Sequence, residues 1–420
     1  MKFAAASMFA IALAAAPAIA QNSPEEVAAA ALQAAPVFDG HNDVPGALRD
    51  RFGNVLAELD FVDTHGAPPS NWADGVMHTD LTRLHQGKVG AQFWSVYVPA
   101  SLPEPQAVQM VLEQIDVTKR LVAKYPDAMQ IAFTADQVEE SIASGRIASM
   151  MGMEGGHSIG SSLAVLRQMY DLGARYMTLT HSSNTPWADS ATDTPTHDGL
   201  TDFGRDVVRE MNRIGMLVDL SHVSEKTMMD ALDVALAPVI FSHSGARAVN
   251  GHARNVPDDV LVRLKTNGGV VMVVALPGYL SEKQRIWYSK RKAEEARLEA
   301  LWQGQPAISA EALAAWDAAN PTPPATISDM ADHVDHIREV AGVEHIGIGG
   351  DYDGMPNGPV GMEDVSGYPA LFVELARRGY SQAELEMIAS RNVLRVLREA
   401  ERYAASQRET PPIETPFKPG

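Results

Sequence analysis

Seven side chains able to bind metal or move protons stand at or just beyond the ends of apolar runs. His41 and Asp43, in Pro36-Val-Phe-Asp-Gly-His-Asn-Asp-Val-Pro45, form a His-x-Asp pair after a short run. Strand residues two apart point to the same side, so an imidazole and a carboxylate converge at the strand's end. Glu154 follows Met150-Met-Gly-Met153, a buried setting in which an unpaired carboxylate would be costly. His181 follows the run Arg175 to Thr180, His222 follows Met216 to Leu220, and His243 follows Pro238 to Ser242. Asp351 follows Ile346-Gly-Ile-Gly-Gly350, whose glycines permit close backbone approach. A structural hydrogen bond would satisfy any one of these histidines as well as a metal would; the recurrence carries the argument.

The chain contains no cysteine, so any transition-metal site must use histidine and carboxylate. His41, Asp43, Glu154, His222 and His243 suit two zinc ions better than one. A single catalytic zinc normally takes three protein ligands, whereas five with one shared carboxylate can hold two ions about 3.5 to 4 Å apart with a hydroxide between them. Glu154 is read as the bridge, with His41 and Asp43 on one ion and His222 and His243 on the other, and the hydroxide as nucleophile. His181 is then free to donate to an oxyanion, and Asp351 to carry a proton to a leaving amine. Arg254, in His252-Ala-Arg-Asn-Val-Pro-Asp258, is either a clamp for a substrate carboxylate or a surface ion pair.

These groups need elements that bring them together. Eight β-rich apolar runs, Val37-Phe38, Val89 to Val98, Ile147 to Met153, Arg175 to Thr180, Met216 to Leu220, Pro238 to Ser242, Gly269 to Ala275 and His345 to Gly349, alternate with amphipathic segments. Helical spacing marks Pro105 to Lys124, Ser161 to Leu172, Phe203 to Ile214, Glu225 to Leu236 and Ile327 to Val340, after a helical leader around Ser23 to Ala35. Such alternation argues for an α/β fold, a closed (β/α)8 barrel of the TIM type, in which all strand ends face one pocket. His78, His157 and His252 are read as hydrogen-bonding support for the ligands. His65, His85, His197, His333, His336 and His345 are read as solvated surface groups.

The expected organisation is a signal peptide over 1–20, a leader over 21–35, the barrel over 36–400 and a tail over 401–420. Met1 to Ala20 has one lysine, an apolar run of about 15 residues and an Ala18-Ile19-Ala20 cleavage pattern, short for a bilayer about 30 Å thick. Export to the periplasm or outside the cell follows, with no stable membrane insertion of the mature chain. Cleavage removes Lys2 alone among charged residues, taking the formal charge from −19 to −20, which disfavours nucleic acid as a partner. A charged segment with Trp287, Tyr288, Trp302 and Trp316, Ser281 to Ala325, is read as a helical insertion acting as a lid or a homodimer contact. Glu409 to Gly420, with four prolines, is expected to be disordered.

Asp39-Gly-His-Asn-Asp43, Gly152-Met-Glu-Gly-Gly-His157, Leu179-Thr-His-Ser-Ser-Asn-Thr-Pro-Trp-Ala-Asp189, Asp219-Leu-Ser-His222, Ser242-His-Ser244, Arg254-Asn-Val-Pro-Asp258 and Gly349-Gly-Asp-Tyr-Asp-Gly354 occur in this order. Together they resemble the renal (membrane) dipeptidase family, the M19 metallopeptidases, from about Pro36 to about Leu397. The resemblance implies a (β/α)8 barrel with two zinc ions that hydrolyses dipeptides, often with a D-residue on the C-terminal side. It implies zinc ligands at His41, Asp43, Glu154, His222 and His243, and substrate contacts at His181, Arg254 and Asp351. Ser183 stands where animal relatives commonly have cysteine. An amidohydrolase acting on a lactam or ester is the alternative, but that type often begins with His-x-His, where this chain has His41 and Asp43.

Overall fold

The apolar runs become strands because β-branched and long apolar residues fill both of their faces, as a sheet covered on each side requires. In the computed structural model, which describes residues 22–70 and 75–418, they are β1 (Val37–Asn42), β2 (Val89–Tyr97), β3 (Met129–Ile131), β4 (Ile147–Glu154), β5 (Ala174–Thr178), β6 (Leu217–Asp219), β7 (Ile240–Ser244), β8 (Val270–Val273) and β9 (Ile346–Ile348). Every pairing between them is parallel, and the order β1-β2-β4-β5-β6-β7-β8-β9 returns to β1, closing the expected eight-stranded barrel.

β3 is the strand that the apolar runs did not include; its three residues are interrupted by Gln130. β2 runs beside β4 from Ala148 to Glu154. β3, opposite Ile147 to Ser149, and β5, opposite Met151 to Glu154, therefore share β4's other edge in succession.

The expected helices form with recognisable ends. In Asp202–Ile214 the Thr201 side chain accepts from the Gly204 N–H, and Gly215 closes the last turn in the left-handed region at φ 86°. Phe203, Val207, Val208 and Met211 recur on its buried face. The leader helix Pro24–Ala34 starts in a Ser23/Glu26 capping box and buries Ala28, Ala31 and Leu32. The expected signal segment lies outside the described residues. No described helix is long and apolar enough to cross a membrane.

Phe38, Phe93, Met150, Tyr176 and Met272 belong to one buried cluster with Val393, Val396, Leu397 and Ala400 of helix Asn392–Ser406, which packs across the N-terminal end of the barrel. The C-terminal strand ends are left open. There Gly349 allows the close approach its position suggested: a Cβ would lie 1.8 Å from the Ser242 carbonyl oxygen.

Three sequence expectations need correction. His333 and His345 are buried, not solvated. His333 accepts from the Ala246 N–H through Nδ1 at 2.8 Å and contacts the Leu280 carbonyl through Nε2 at 3.0 Å. His345 Nδ1 lies 2.7 Å from the Gly269 carbonyl. The tail is docked as far as it is described: Arg167 donates to the Ile413 carbonyl, Thr415 to Asp206, and Phe417 packs on Phe203 with ring centroids 5.3 Å apart. Its prolines carry no N–H in need of an acceptor, so a few donors from the helices beneath can hold it.

Candidate metal centre and active site

β1 delivers His41, and Asp43 follows one residue past the strand. His41 Nε2 lies 3.3 Å from Asp43 Oδ2 and 3.5 Å from Glu154 Oε2. Glu154 is the last residue of β4, and its Oε2 also accepts from Ser95 Oγ. On its other side, Glu154 Oε1 is 3.0 Å from His222 Nε2 and 3.5 Å from His243 Nε2. Those two nitrogens are only 3.0 Å apart. The sequence-derived set therefore forms two triads that share Glu154, and both are buried: His41, Asp43, Glu154 and Glu154, His222, His243. Asp351, whose N–H donates to the His41 carbonyl, offers a third grouping with His41 and His243.

The donor set fits a cation. His41 Nε2 is buried without a hydrogen-bond partner, which is a costly state for a ring nitrogen unless something else occupies its lone pair. His222 and His243 aim Nε2 at each other and at one carboxylate oxygen. Burial, reinforced by neighbouring positive groups including Arg254, holds both histidines well below the usual imidazole range. Burial alone would raise Glu154, but His41, His181 and His222 outweigh it and hold the carboxylate well below its usual range. For these three residues the favoured protonation states are the ones a metal requires. His41 differs: burial opposes its protonation, yet Tyr176, Glu154 and Asp43 together raise it. A proton there occupies the position a cation would take.

The remaining candidates surround this centre. His181 packs between the rings of Tyr97 and His222, with centroids 4.8 and 4.2 Å away. Burial pushes Asp351 well above the carboxylate range. Arg254 is 1% exposed and, among the described residues, has no carboxylate within ion-pair distance, so the surface-pair alternative is excluded. Its guanidinium reaches Ser244 Oγ and the His243 carbonyl at 3.4 Å and lies 5.4 Å from the Tyr279 ring centre. These residues line a cavity of about 690 Å³, with Asp43, Glu154, His181, His222, Arg254 and Asp351 on its walls.

Other residues were missed. Tyr176 OH lies 2.7 Å from His41 Nδ1, and Ser242 Oγ lies 2.8 Å from His243 Nδ1. Of the three histidines expected to support the ligands, His252 takes the Arg254 N–H, His78 exchanges hydrogen bonds with Asp353, and His157 contacts the Pro99 carbonyl. None of those contacts reaches a metal-binding candidate. Asp219 was legible in principle, since a carboxylate within the apolar run Met216 to Leu220 needs partners for the same reason as Glu154.

A parallel barrel that gathers histidines and carboxylates at its C-terminal strand ends is the architecture of a metal-dependent hydrolase. The sequence pattern of the membrane dipeptidase family (peptidase family M19) matches residues 25–411, and the chain belongs to that family. Dipeptidase 3 of Rattus norvegicus is 42% identical over 397 residues, covering 93% of this chain and 70% of the relative. Dipeptidase tcpJ of Claviceps purpurea is 43% identical over 385 residues, covering 89% and 79% respectively. A metallopeptidase from Rhodobacter sphaeroides, solved with a phosphinate mimic of the dipeptide L-Ala-D-Ala, superposes with TM-score 0.69 at 25% identity over 87% of this chain and 99% of that one. The protein is thus a metallopeptidase with dipeptidase activity.

Proposed function

We propose that the protein is an exported dipeptidase that uses two zinc ions and cleaves both L,L and L,D dipeptides. The observation that carries this reading is the pair of buried triads meeting on Glu154. His41, Asp43 and Glu154 would hold one ion; Glu154, His222 and His243 would hold the other. Zinc so held supplies an acidified water and polarises the scissile carbonyl.

This chain's own groups do the rest. His181 Nδ1 can accept from Ser182 Oγ at 3.2 Å, which leaves Nε2–H to donate to the oxyanion forming on the carbonyl. Asp351, made more basic than an ordinary carboxylate by burial, is suited to take a proton from the nucleophile and pass it to the leaving amine. Arg254, a buried cation with donors to spare, takes the substrate's C-terminal carboxylate. Tolerance of a D-residue is supported by the L-Ala-D-Ala mimic in the Rhodobacter sphaeroides relative. Export rests on the first 20 residues alone.

Helices Glu282–Leu301 and Pro306–Ala319 form a hairpin, joined by an Arg291–Asp317 ion pair and by Trp287 against Trp316. The turn before it supplies Tyr279 to the cavity. We assign this hairpin to a lid or a contact between two copies; its deletion should alter peptide-length selectivity or oligomeric mass, and a variant unchanged in both would remove the assignment.

The test is metal analysis followed by hydrolysis of L,L and L,D dipeptides, tripeptides and a lactam. Two zincs with cleavage restricted to dipeptides is the expected result. One zinc, or faster turnover of the lactam, sinks the proposal. Mass spectrometry of the mature N-terminus checks cleavage after Ala20.

A further inference from the structure

Asp219, at the end of β6, is buried and accepts four hydrogen bonds drawn from three neighbouring strand ends. Its Oδ1 takes the backbone N–H groups of Ser221 and Ser242, at 3.0 and 2.9 Å. Its Oδ2 takes the hydroxyls of Thr178 on β5 and Ser242 on β7, at 2.5 and 2.6 Å. Those strands and their following loops carry His181, His222 and His243. The carboxylate therefore ties together the parts of the barrel that present three of the site's histidines.

Proton bookkeeping takes this further. Ser242 has one hydroxyl proton. The carboxylate 2.6 Å away claims it, in preference to Ser221 Oγ at 3.4 Å. Ser242 Oγ then has only lone pairs to offer His243 Nδ1 at 2.8 Å, so Nδ1 must carry the hydrogen. With Nδ1 protonated, the neutral ring holds its lone pair on Nε2, the atom that faces Glu154 and His222. We propose that Asp219, acting through Ser242, sets the tautomer of His243 and is a positioning residue for the triad Glu154, His222, His243. This rests on the two-zinc reading for its consequence, but not for the tautomer itself.

Asp219→Asn gives the sharpest test because the site dictates how the amide must sit. Two backbone N–H groups face the Oδ1 position and cannot become acceptors, so the amide oxygen goes there and the NH2 takes the Oδ2 position. It then donates to Thr178 and Ser242. The freed Ser242 proton turns to His243 Nδ1 and drives the ring hydrogen to Nε2, blocking the ligating atom. A change of one atom, with volume preserved, reverses the relay.

The experiment uses metal-free protein with 15N-labelled histidine. Long-range 1H–15N correlation spectra distinguish Nδ1–H from Nε2–H rings, and the His243 signals are those that vanish in His243→Gln. The expected result is Nδ1–H in the wild type and Nε2–H in Asp219→Asn. Zinc titration against a chelator should show one of two ions bound about 10- to 100-fold more weakly in the variant and the other unchanged. Ser242→Ala should leave the ring as a mixture of tautomers and Ser242→Thr should restore Nδ1–H, which keeps the test decisive if the Asn variant does not fold. An Nε2–H ring in the wild type, or no change in Asp219→Asn, overturns the proposal. A wild type that binds no zinc yet shows the tautomer switch supports the relay and overturns the two-zinc reading; two bound zincs with no switch does the reverse.

Discussion

The Tyr176 hydroxyl stands 2.7 Å from His41 Nδ1, and Gly152 makes the room for it: a Cβ at 152 would lie 1.9 Å from the Tyr176 ring. A residue on β5 thus orients a ring on β1 across the barrel interior, and the glycine of β4 permits the crossing. If His41 binds metal through Nε2, its Nδ1 carries a hydrogen and the phenol accepts it.

Tyr176→Phe should therefore weaken zinc binding about tenfold or more. It should also lower the unfolding free energy by about 1 to 3 kcal/mol, because a buried ring nitrogen loses its partner. Gly152→Ala should be destabilising by about 1 to 3 kcal/mol through overpacking against the same ring. Zinc titration and urea unfolding of the metal-free proteins check both, and wild-type zinc affinity in Tyr176→Phe would dismiss the orienting role.

On the two-zinc reading, Glu154→Ala should abolish dipeptide hydrolysis and reduce bound zinc from two to at most one per chain, while far-ultraviolet circular dichroism stays unchanged. The reason is geometric: one carboxylate faces His41 through Oε2 and both His222 and His243 through Oε1, so its removal opens both triads at once. A fully active variant would refute the bridge.

The site was legible in the sequence to the extent that each residue follows directly on an apolar run. His41, Asp43, Glu154, His222 and His243 needed only the strand pattern and the barrel's rule that strand ends share a face. What was not legible depends on contacts between distant segments. Whether Arg254 is a surface ion or a buried cation depends on how its loop packs against Tyr279. The partners of His41 and His243 lie on other strands or point inward by an alternation too short to read. His333 did carry a local signal, since Met330, Val334 and Ile337 mark its helix face as buried, but a histidine on that face is ambiguous until its two hydrogen bonds are seen.

Arg254→Met keeps most of the side chain's volume and removes a charge that, among the described residues, has no carboxylate within ion-pair distance. Stability should change little, whereas kcat/KM for a free dipeptide should fall by about two to three orders of magnitude. A dipeptide with an amidated C-terminus lacks the negative charge and should lose far less. Steady-state kinetics on the two substrates separates a carboxylate clamp from a packing role: equal losses on both would show that Arg254 does not read the carboxylate.

His333 should make the protein lose stability in acid by a definite amount. Burial holds its pKa down to about 4, outweighing the Nε2–H donation to the Leu280 carbonyl, which by itself would raise it; Nδ1 accepts from the Ala246 N–H. In the unfolded chain the same group titrates near 6.5. Between those values the unfolded chain binds the extra proton. The contribution is therefore fully present above pH 6.5 and lost as pH falls towards 4, at about 1.4 kcal/mol per pH unit. His333→Gln can keep one acceptor and one donor but has no proton to gain. Urea unfolding of metal-free wild type and variant from pH 8 to 5 isolates this term, because His222, His243 and the other depressed histidines are common to both. The wild type should lose about 2 kcal/mol more than the variant between pH 6.5 and 5; parallel pH profiles would mean that the His333 ring is not held neutral by the fold.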